Sequence, residues 1–331
     1  MSSRSMWSFT ATAPQVITEH EVRAPSKTDL VDGQVLLRVL VGGICGSDLP
    51  FFRGKGMPDG IGRDSRETIE PPVGSPLHEV VGEIVASKDQ SLPAGAVVVG
   101  WASGMNAMAE YVVVDGCDVI DFSASLPPSL AIMLQPLACV IFAVDALRDL
   151  PSSRVAVIGQ GSIGILFSHV IKTRGAEYVI GVDRVDRSDV ADQFGVDEPV
   201  WLASDRWAAG LAKGERPQIV VEAVGHQVAT LTDATIAIAD GGQIYYFGIP
   251  DDPIYPFPMW RFLRSCACLY AGYTPPPARR DCLRRAEQHL LAHPEIAGPY
   301  ISRTFKFTQS QDAFLAANTP KRGQLKVTLE V

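Results

Sequence analysis

The sequence predicts an α/β protein of two domains: a β-rich domain followed by a doubly wound parallel-sheet domain. Three observations predict it. Short apolar strands at close spacing fill residues 35–114, and strands alternate with helices from 154 to 247. A Gly-rich turn, Gly159-Gln160-Gly161-Ser162-Ile163-Gly164, joins the first strand and helix of the alternating part. The length of 331 residues agrees, at roughly 100–200 residues per domain.

Taken in order, Val35–Val41, Val80–Val85, Ala96–Val99 and Tyr111–Val114 read as strands of a barrel-like domain. Asp32-Gly33 and Pro93-Ala94-Gly95 are turn signals between them. Residues 50–76 are rich in Gly, Pro, Arg and Asp and lack apolar periodicity, which predicts a long loop. Ser129–Leu147 reads as one long apolar helix. The alternation follows: strand Arg154–Ile158, helix 162–174, strand Tyr178–Val182, helix 187–194, strand Ile219–Glu222, helix 227–239 and strand Gln243–Phe247. Thr274-Pro275-Pro276-Pro277 breaks it, before a charged helix over 279–292 and strands over 302–307 and 324–331.

Hydrophobic residues make up 47% and charged residues 20%, enough apolar material for two cores. No run of about 18 uncharged apolar residues points to a membrane span. Met1–Phe9 lacks the apolar stretch of a signal peptide, so the expected compartment is the cytoplasm. The net charge is −8 and the basic residues are scattered, which excludes a nucleic-acid footprint. Arg279-Arg280 and Arg284-Arg285 read as an exposed helix face. The six cysteines are few and widely spaced, as in a reduced protein without a disulfide framework.

The turn at Gly159–Gly164 sits between a buried strand and a helix with apolar residues at Ile163, Leu166, Phe167, Val170 and Ile171. That is the context a dinucleotide-binding turn requires. Gly159 permits the tight turn, Gly161 lets backbone approach a pyrophosphate, and Gly164 lets helix and strand pack closely. Ser162 and Ile163 open the helix, whose free N–H groups face the phosphates. Asp183 ends the second strand, 19 residues after Gly164, where a carboxylate accepts from ribose hydroxyls and repels a 2′-phosphate. NAD is therefore expected over NADP, a preference that Arg184 and Arg187 soften.

A second constellation comprises Cys45 in Gly43-Ile44-Cys45-Gly46-Ser47-Asp48, His78 in Pro76-Leu77-His78-Glu79, and Cys139 after Gln135-Pro136-Leu137. Two thiolates and an imidazole would make a three-ligand zinc site with one open position, if the fold brings them together. Read singly, the cysteines are small buried hydrophobes and the histidine a satisfied core residue.

Together these motifs, with Ala109-Glu110-Tyr111, Glu222-Ala223-Val224-Gly225 and Phe247-Gly248-Ile249, resemble the medium-chain, zinc-dependent alcohol and polyol dehydrogenases, sorbitol and threonine dehydrogenases among them, over nearly the whole chain. The resemblance implies a GroES-like catalytic domain (1–140), a Rossmann domain (141–273) and a C-terminal return to the catalytic domain (274–331). It implies zinc on Cys45, His78 and Cys139, with Glu79 close enough to replace Cys139. Ser47 matches the hydroxyl that takes the substrate's proton, Asp48 the carboxylate that orients the zinc histidine, and Trp101 a wall of the substrate pocket. Ala223, Val224, His226 and Phe247, Gly248, Ile249 match loops beside the nicotinamide. The implied reaction passes hydride between NAD and a secondary alcohol of polyol, sugar or amino-alcohol type, reversibly to the ketone. A homodimer or homotetramer, paired along an edge strand near Cys266–Tyr270, is also implied.

The chain departs from the pattern at Leu77 for Gly, Gln135 for Glu and Pro50 for the relay His. Residues Gly100–Ala109 hold no cysteine where relatives carry a structural zinc lobe, so one catalytic zinc and no structural zinc is expected. Cys117 and Cys282 match no ligand, and Cys266 and Cys268 read as packing residues on an apolar strand. Two alternatives remain: a zinc-free quinone or enoyl reductase of the same superfamily, and a nucleotide-binding relative without catalysis.

Overall fold

The computed structural model describes residues 4–55, 71–250 and 252–331. Of the loop expected over 50–76, residues 56–70 lie outside the described residues.

The chain opens with an antiparallel hairpin, β1 (Ser5–Ala13) and β2 (Val16–Arg23), whose polar second strand hid it from the sequence reading. Then come β3 (Gln34–Ile44), the single-turn α1 (Leu49–Phe52), β4 (Glu79–Ser87), β5 (Val97–Trp101), β6 (Tyr111–Asp115) and β7 (Val119–Asp121). Gly33 and Gly95, the two turn glycines, adopt φ of +83° and +90°.

The long helix expected over 129–147 divides into α2 (Pro128–Ala131) and α3 (Leu134–Val144). Pro136 is the physical reason. It has no N–H to donate and its ring clashes with the carbonyl four residues back, so it fits only in a first helical turn. α3 is buried around most of its circumference, from Leu134 to Val144, as an apolar all-round helix must be. It packs on β5 on one side and on the helices of the second half on the other, so one core runs through both halves.

The second half contains β8 (Arg154–Ile158), α4 (Ser162–Thr173), β9 (Tyr178–Asp183), β10 (Glu198–Trp201), α5 (Ser204–Gly210), β11 (Ile219–Glu222), α6 (Val228–Ala237), β12 (Gln243–Tyr246), α7 (Met259–Ser265) and β13 (Cys268–Ala271). All six strands are parallel, in the order β10-β9-β8-β11-β12-β13. This is the 3-2-1-4-5-6 order of a dinucleotide-binding sheet, with its switch point between β8 and β11.

Two expectations here are corrected, and two elements are new. The helix over 187–194 is only a short turn, Asp192–Phe194. Arg187 instead donates to the carbonyls of Lys321 and Gln324, and Asp183 and Asp186 accept from the N–H groups of Val185 and Ser188. Side chains that satisfy local backbone groups compete with a helix in this way. β10 and α5 were not anticipated. Cys266 and Cys268 are both exposed: Cys266 caps α7 in the left-handed region and Cys268 opens the edge strand β13.

The chain ends with α8 (Pro276–Ala292), α9 (Ala297–Tyr300), β14 (Ile301–Lys306), α10 (Ser310–Ala317) and β15 (Lys326–Glu330). β15 pairs antiparallel with β3, and β14 parallel with β15, which completes the seven-stranded order β14-β15-β3-β4-β5-β7, with β6 on β3. The arginines of α8 are not a free surface. Arg279 pairs with Asp118 at 2.7 Å, Arg280 donates to the carbonyl of Val119, Arg284 pairs with Asp121 and Arg285 with Asp145. They fasten the C-terminal helix to the strands and helix before it. No helix among the described residues is long and apolar enough to cross a membrane.

Candidate metal and dinucleotide site

β3 and β4 pair so that Gly43 lies opposite Glu79. The turn after β3 carries Cys45, Ser47 and Asp48, and His78 immediately precedes β4, so both donors sit at one end of the same strand pair. Asp48 is fully buried and joins them. Its Oδ2 accepts from the backbone N–H of Cys45 at 2.8 Å, and its Oδ1 lies 2.7 Å from His78 Nδ1. A carboxylate behind an imidazole in this way fixes the tautomer and leaves the other nitrogen for a metal. Burial opposes a charge on His78, but the Asp48 carboxylate and the Cys45 sulfur outweigh it and raise the ring well above its usual value.

Cys45, His78 and Glu79 offer donor atoms that all lie within 4.8 Å of one another. Thiolate, imidazole and carboxylate form a donor set that suits zinc, so the residues fit the ion. Glu79 has a second attachment. Lys326 Nζ, fully buried on β15, lies 2.6 Å from its Oε1 and 2.5 Å from its Oε2. Gly43 makes room: a Cβ there would lie 2.3 Å from Glu79 Oε2. Cys139, on α3, is not in the 4.8 Å group, and its Sγ accepts from Gln135 Nε2 at 3.6 Å. Burial, with the charges of Cys45 and Glu79, pushes its thiol up to about 12. Leu77, the residue that departs from Gly, is buried against Gly42, where a Cβ would lie 2.4 Å from its Cδ2.

A cleft of about 490 Å³ opens from this cluster. Cys45 and Gly46 line one end; Gly159, Gly161, Ser162, Ile163, Asp183 and Arg184 line another part of it. Gly159 has φ of +89°, the left-handed region that glycine adopts without strain. A Cβ on Gly164 would lie 1.6 Å from the carbonyl oxygen of Gly159, while the space beside Gly161 is open. Asp183 braces the turn: its Oδ2 accepts from the N–H of Gln160 at 2.7 Å. Ala223, Val224 and His226 also line the cleft, across the switch point. Glu222 accepts from Val224 N, Gly225 N and Thr230 Oγ1, which pins that loop.

The other expected residues lie around this cleft as follows. Phe247, Gly248 and Ile249 are not walls of the cleft; a Cβ on Gly248 would lie 2.1 Å from Gly225 N, so this segment backs the 223–226 loop. Trp101 is buried and carries the Arg279 guanidinium 5.0 Å from its ring centroid. Arg187 lines the cleft, but two of its contacts go to the carbonyls of Lys321 and Gln324. Ser47 is half-buried within the Cys45–Asp48 turn.

The sequence reading missed Lys326, Arg53 and Tyr300. A lysine inside the apolar run Leu325–Leu329 was the available signal for the first. Arg53 lines the cleft from just after α1. Tyr300 is fully buried, its hydroxyl has no hydrogen-bond partner among the described residues, and burial together with the charges of Glu79 and Cys45 raises it well above its usual value.

Residues 31–124 match the family model of the alcohol dehydrogenase GroES-like domain. The L-threonine 3-dehydrogenase of Bacillus subtilis (strain 168) is 27% identical over 247 residues, 67% of this chain and 70% of the relative. The sorbitol dehydrogenase of Bombyx mori is 25% identical over 266 residues, 68% of this chain and 73% of the relative. Among solved structures, a Sinorhizobium meliloti 1021 protein assigned as a zinc-binding dehydrogenase and bound to NADP superposes with a TM-score of 0.80 at 21% identity, over 99% of this chain and 100% of that one.

Proposed function

We propose, from the premise that this chain belongs to the zinc-type medium-chain alcohol and polyol dehydrogenase superfamily, that it is an alcohol dehydrogenase using zinc and NAD on a secondary alcohol. One observation carries the reading: the Cys45 end of the donor cluster and the Gly159–Gly164 turn open onto the same 490 Å³ cleft. Cys45, His78 and Cys139 would hold the zinc, with Glu79 as the ligand that exchanges with Cys139. The pairing with Lys326 supports that order, because it already neutralises the Glu79 charge. When bound, zinc supplies Lewis-acid stabilisation of the alcohol oxygen and nicotinamide accepts the hydride.

The chain's own residues do the rest. Asp48 holds His78 and Cys45 in register. Ser47 takes the hydroxyl proton and, with Pro50 in place of the relay His, passes it to solvent or the cofactor ribose. The amides at the start of α4 bind the pyrophosphate. Asp183 receives the ribose hydroxyls and disfavours a 2′-phosphate, hence NAD over NADP. Trp101 walls the substrate pocket, and Phe247, Gly248 and Ile249 act by supporting Val224 and His226 beside the nicotinamide. The substrate class is a polyol, sugar or amino alcohol, or the matching ketone. The same reading divides the chain at 140 and 273, places it in the cytoplasm, and pairs copies along β13.

A panel of secondary alcohols and polyols with NAD and NADP, run beside zinc quantification, tests this. Expected are turnover with NAD and zinc bound through Cys45. Cys45→Ser abolishes zinc and turnover but leaves NAD binding; full activity in that variant sinks the mechanism. Cys139→Ser loses more zinc than Glu79→Gln, and the reverse order makes Glu79 the resident ligand. Turnover of quinones or enones without zinc would support the zinc-free reductase instead. No turnover despite bound zinc would support a non-catalytic relative.

A further inference from the structure

Three of the chain's six histidines meet away from the cleft. His169 is buried on α4, His289 lies in the last turn of α8, and His293 directly follows that helix. Donor atoms of the three rings all lie within 4.8 Å of one another. Ring centroids are 5.1 Å apart for His169–His289 and His169–His293, and 4.8 Å for His289–His293. His169 Nε2 and His289 Nε2 are buried and have no hydrogen-bond partner among the described residues. Buried polar atoms are as a rule paired, so two orphans in one cluster call for a partner that the protein itself does not supply. His293 Nδ1 lies 3.3 Å from Glu295 Oε1, the carboxylate-behind-imidazole arrangement of metal-binding histidines.

We propose that His169, His289 and His293 form a second metal site, which takes a divalent first-row transition ion and joins α4 to the end of α8. Three imidazoles select zinc, cobalt, nickel or copper over magnesium and calcium, which demand oxygen. Nitrogens on one tetrahedral zinc stand about 3.3 Å apart, given Zn–N bonds of about 2.0–2.1 Å. The rings therefore close by small side-chain rotations from the 4.8 Å limit they now satisfy. Burial and mutual repulsion hold both His169 and His289 down to about 4, so they meet an ion unprotonated near neutral pH. The fourth position falls to water. Arg174, whose charge also acts on His289, is paired with Asp145.

The site has a place in the fold. α4 starts at the dinucleotide turn, and α8 carries Arg279 onto Asp118 and Trp101. An ion between them ties the cofactor-binding helix to the C-terminal segment. The single zinc expected from the sequence was counted on cysteine motifs, and these histidines stand outside that count.

Cobalt(II) titration of the full chain, stripped with a chelator, tests the proposal. Two ions per chain are expected. One gives a thiolate-to-cobalt band in the near ultraviolet and is lost in the double variant Cys45→Ser/Cys139→Ser. The other lacks that band, persists in the double variant, and is lost on adding His293→Ala or His289→Gln. In the double variant zinc raises Tm, and His293→Ala removes the rise. His293 is only partly buried, so its variant spares the packing of α4, which circular dichroism of the apo chain checks. No cobalt bound in the double variant, or uptake there unchanged by the histidine substitutions, overturns the proposal. No readout needs turnover, so its failure leaves the dehydrogenase reading intact.

Discussion

Asp48 holds Cys45 and His78 with one carboxylate, so its loss disorders two donors at once. Asp48→Ala is expected to weaken zinc binding by about 10–100-fold, as removal of such supporting groups does; competition against a chromophoric chelator measures it. Lys326 and Glu79 are both fully buried, so neither charge tolerates the loss of the other. Lys326→Met should cost about 3–5 kcal/mol, because it leaves a buried carboxylate without its counter-charge. Urea denaturation reads the loss, and adding Glu79→Gln to the same chain should recover much of it. At this scale the sequence was partly legible. Cys45, His78, Glu79 and Asp48 stood in recognisable motifs, whereas Lys326 is 247 residues from its partner and only the pairing of β15 with β3 brings them together.

The Gly159–Gly164 turn works as one element with β8 and α4. Gly164→Ala would set a Cβ 1.6 Å from the Gly159 carbonyl oxygen, so the helix must lift from the strand. The expected result is NADH binding weakened about 5-fold or more, since overpacking of this kind costs about 1–3 kcal/mol or more. Zinc content should stay unchanged. NADH fluorescence titration beside metal analysis checks both, and unaltered NADH affinity would remove this turn from the cofactor site. Element types were legible wherever apolar periodicity was strong, as in β3, β4, β8, α4, β9 and β11. The exceptions have local causes. Pro136 restarts α3, the contacts of Arg187 and two aspartates replace a helix over 187–194, and the arginines of α8 turn a charged face into a docking face.

For the whole molecule, the histidine cluster links stability to pH. His169 and His289 sit at about 4 in the folded chain, against about 6.5 for an unperturbed imidazole. Between those values the unfolded chain binds more protons, so stability rises with pH there. The metal-free protein should therefore lose stability as pH falls from about 6.5 towards 4, and the loss should be shallower in His289→Gln. Thermal melts across that range measure the slope, and equal slopes in the two chains would remove the cluster as its source. By itself the sequence determined the strand–helix alternation, the dinucleotide turn with Asp183, and the candidate donors, because these depend on periodicity and on residues close together in the chain. The tertiary structure alone decided which donors meet. It set Glu79 within the 4.8 Å group and Cys139 outside it, backed the 223–226 loop with Gly248, and gathered His169 with His289 and His293. The physical reason is that donor clusters form across strand registers and helix packings, and those follow from how the whole apolar core closes around α3.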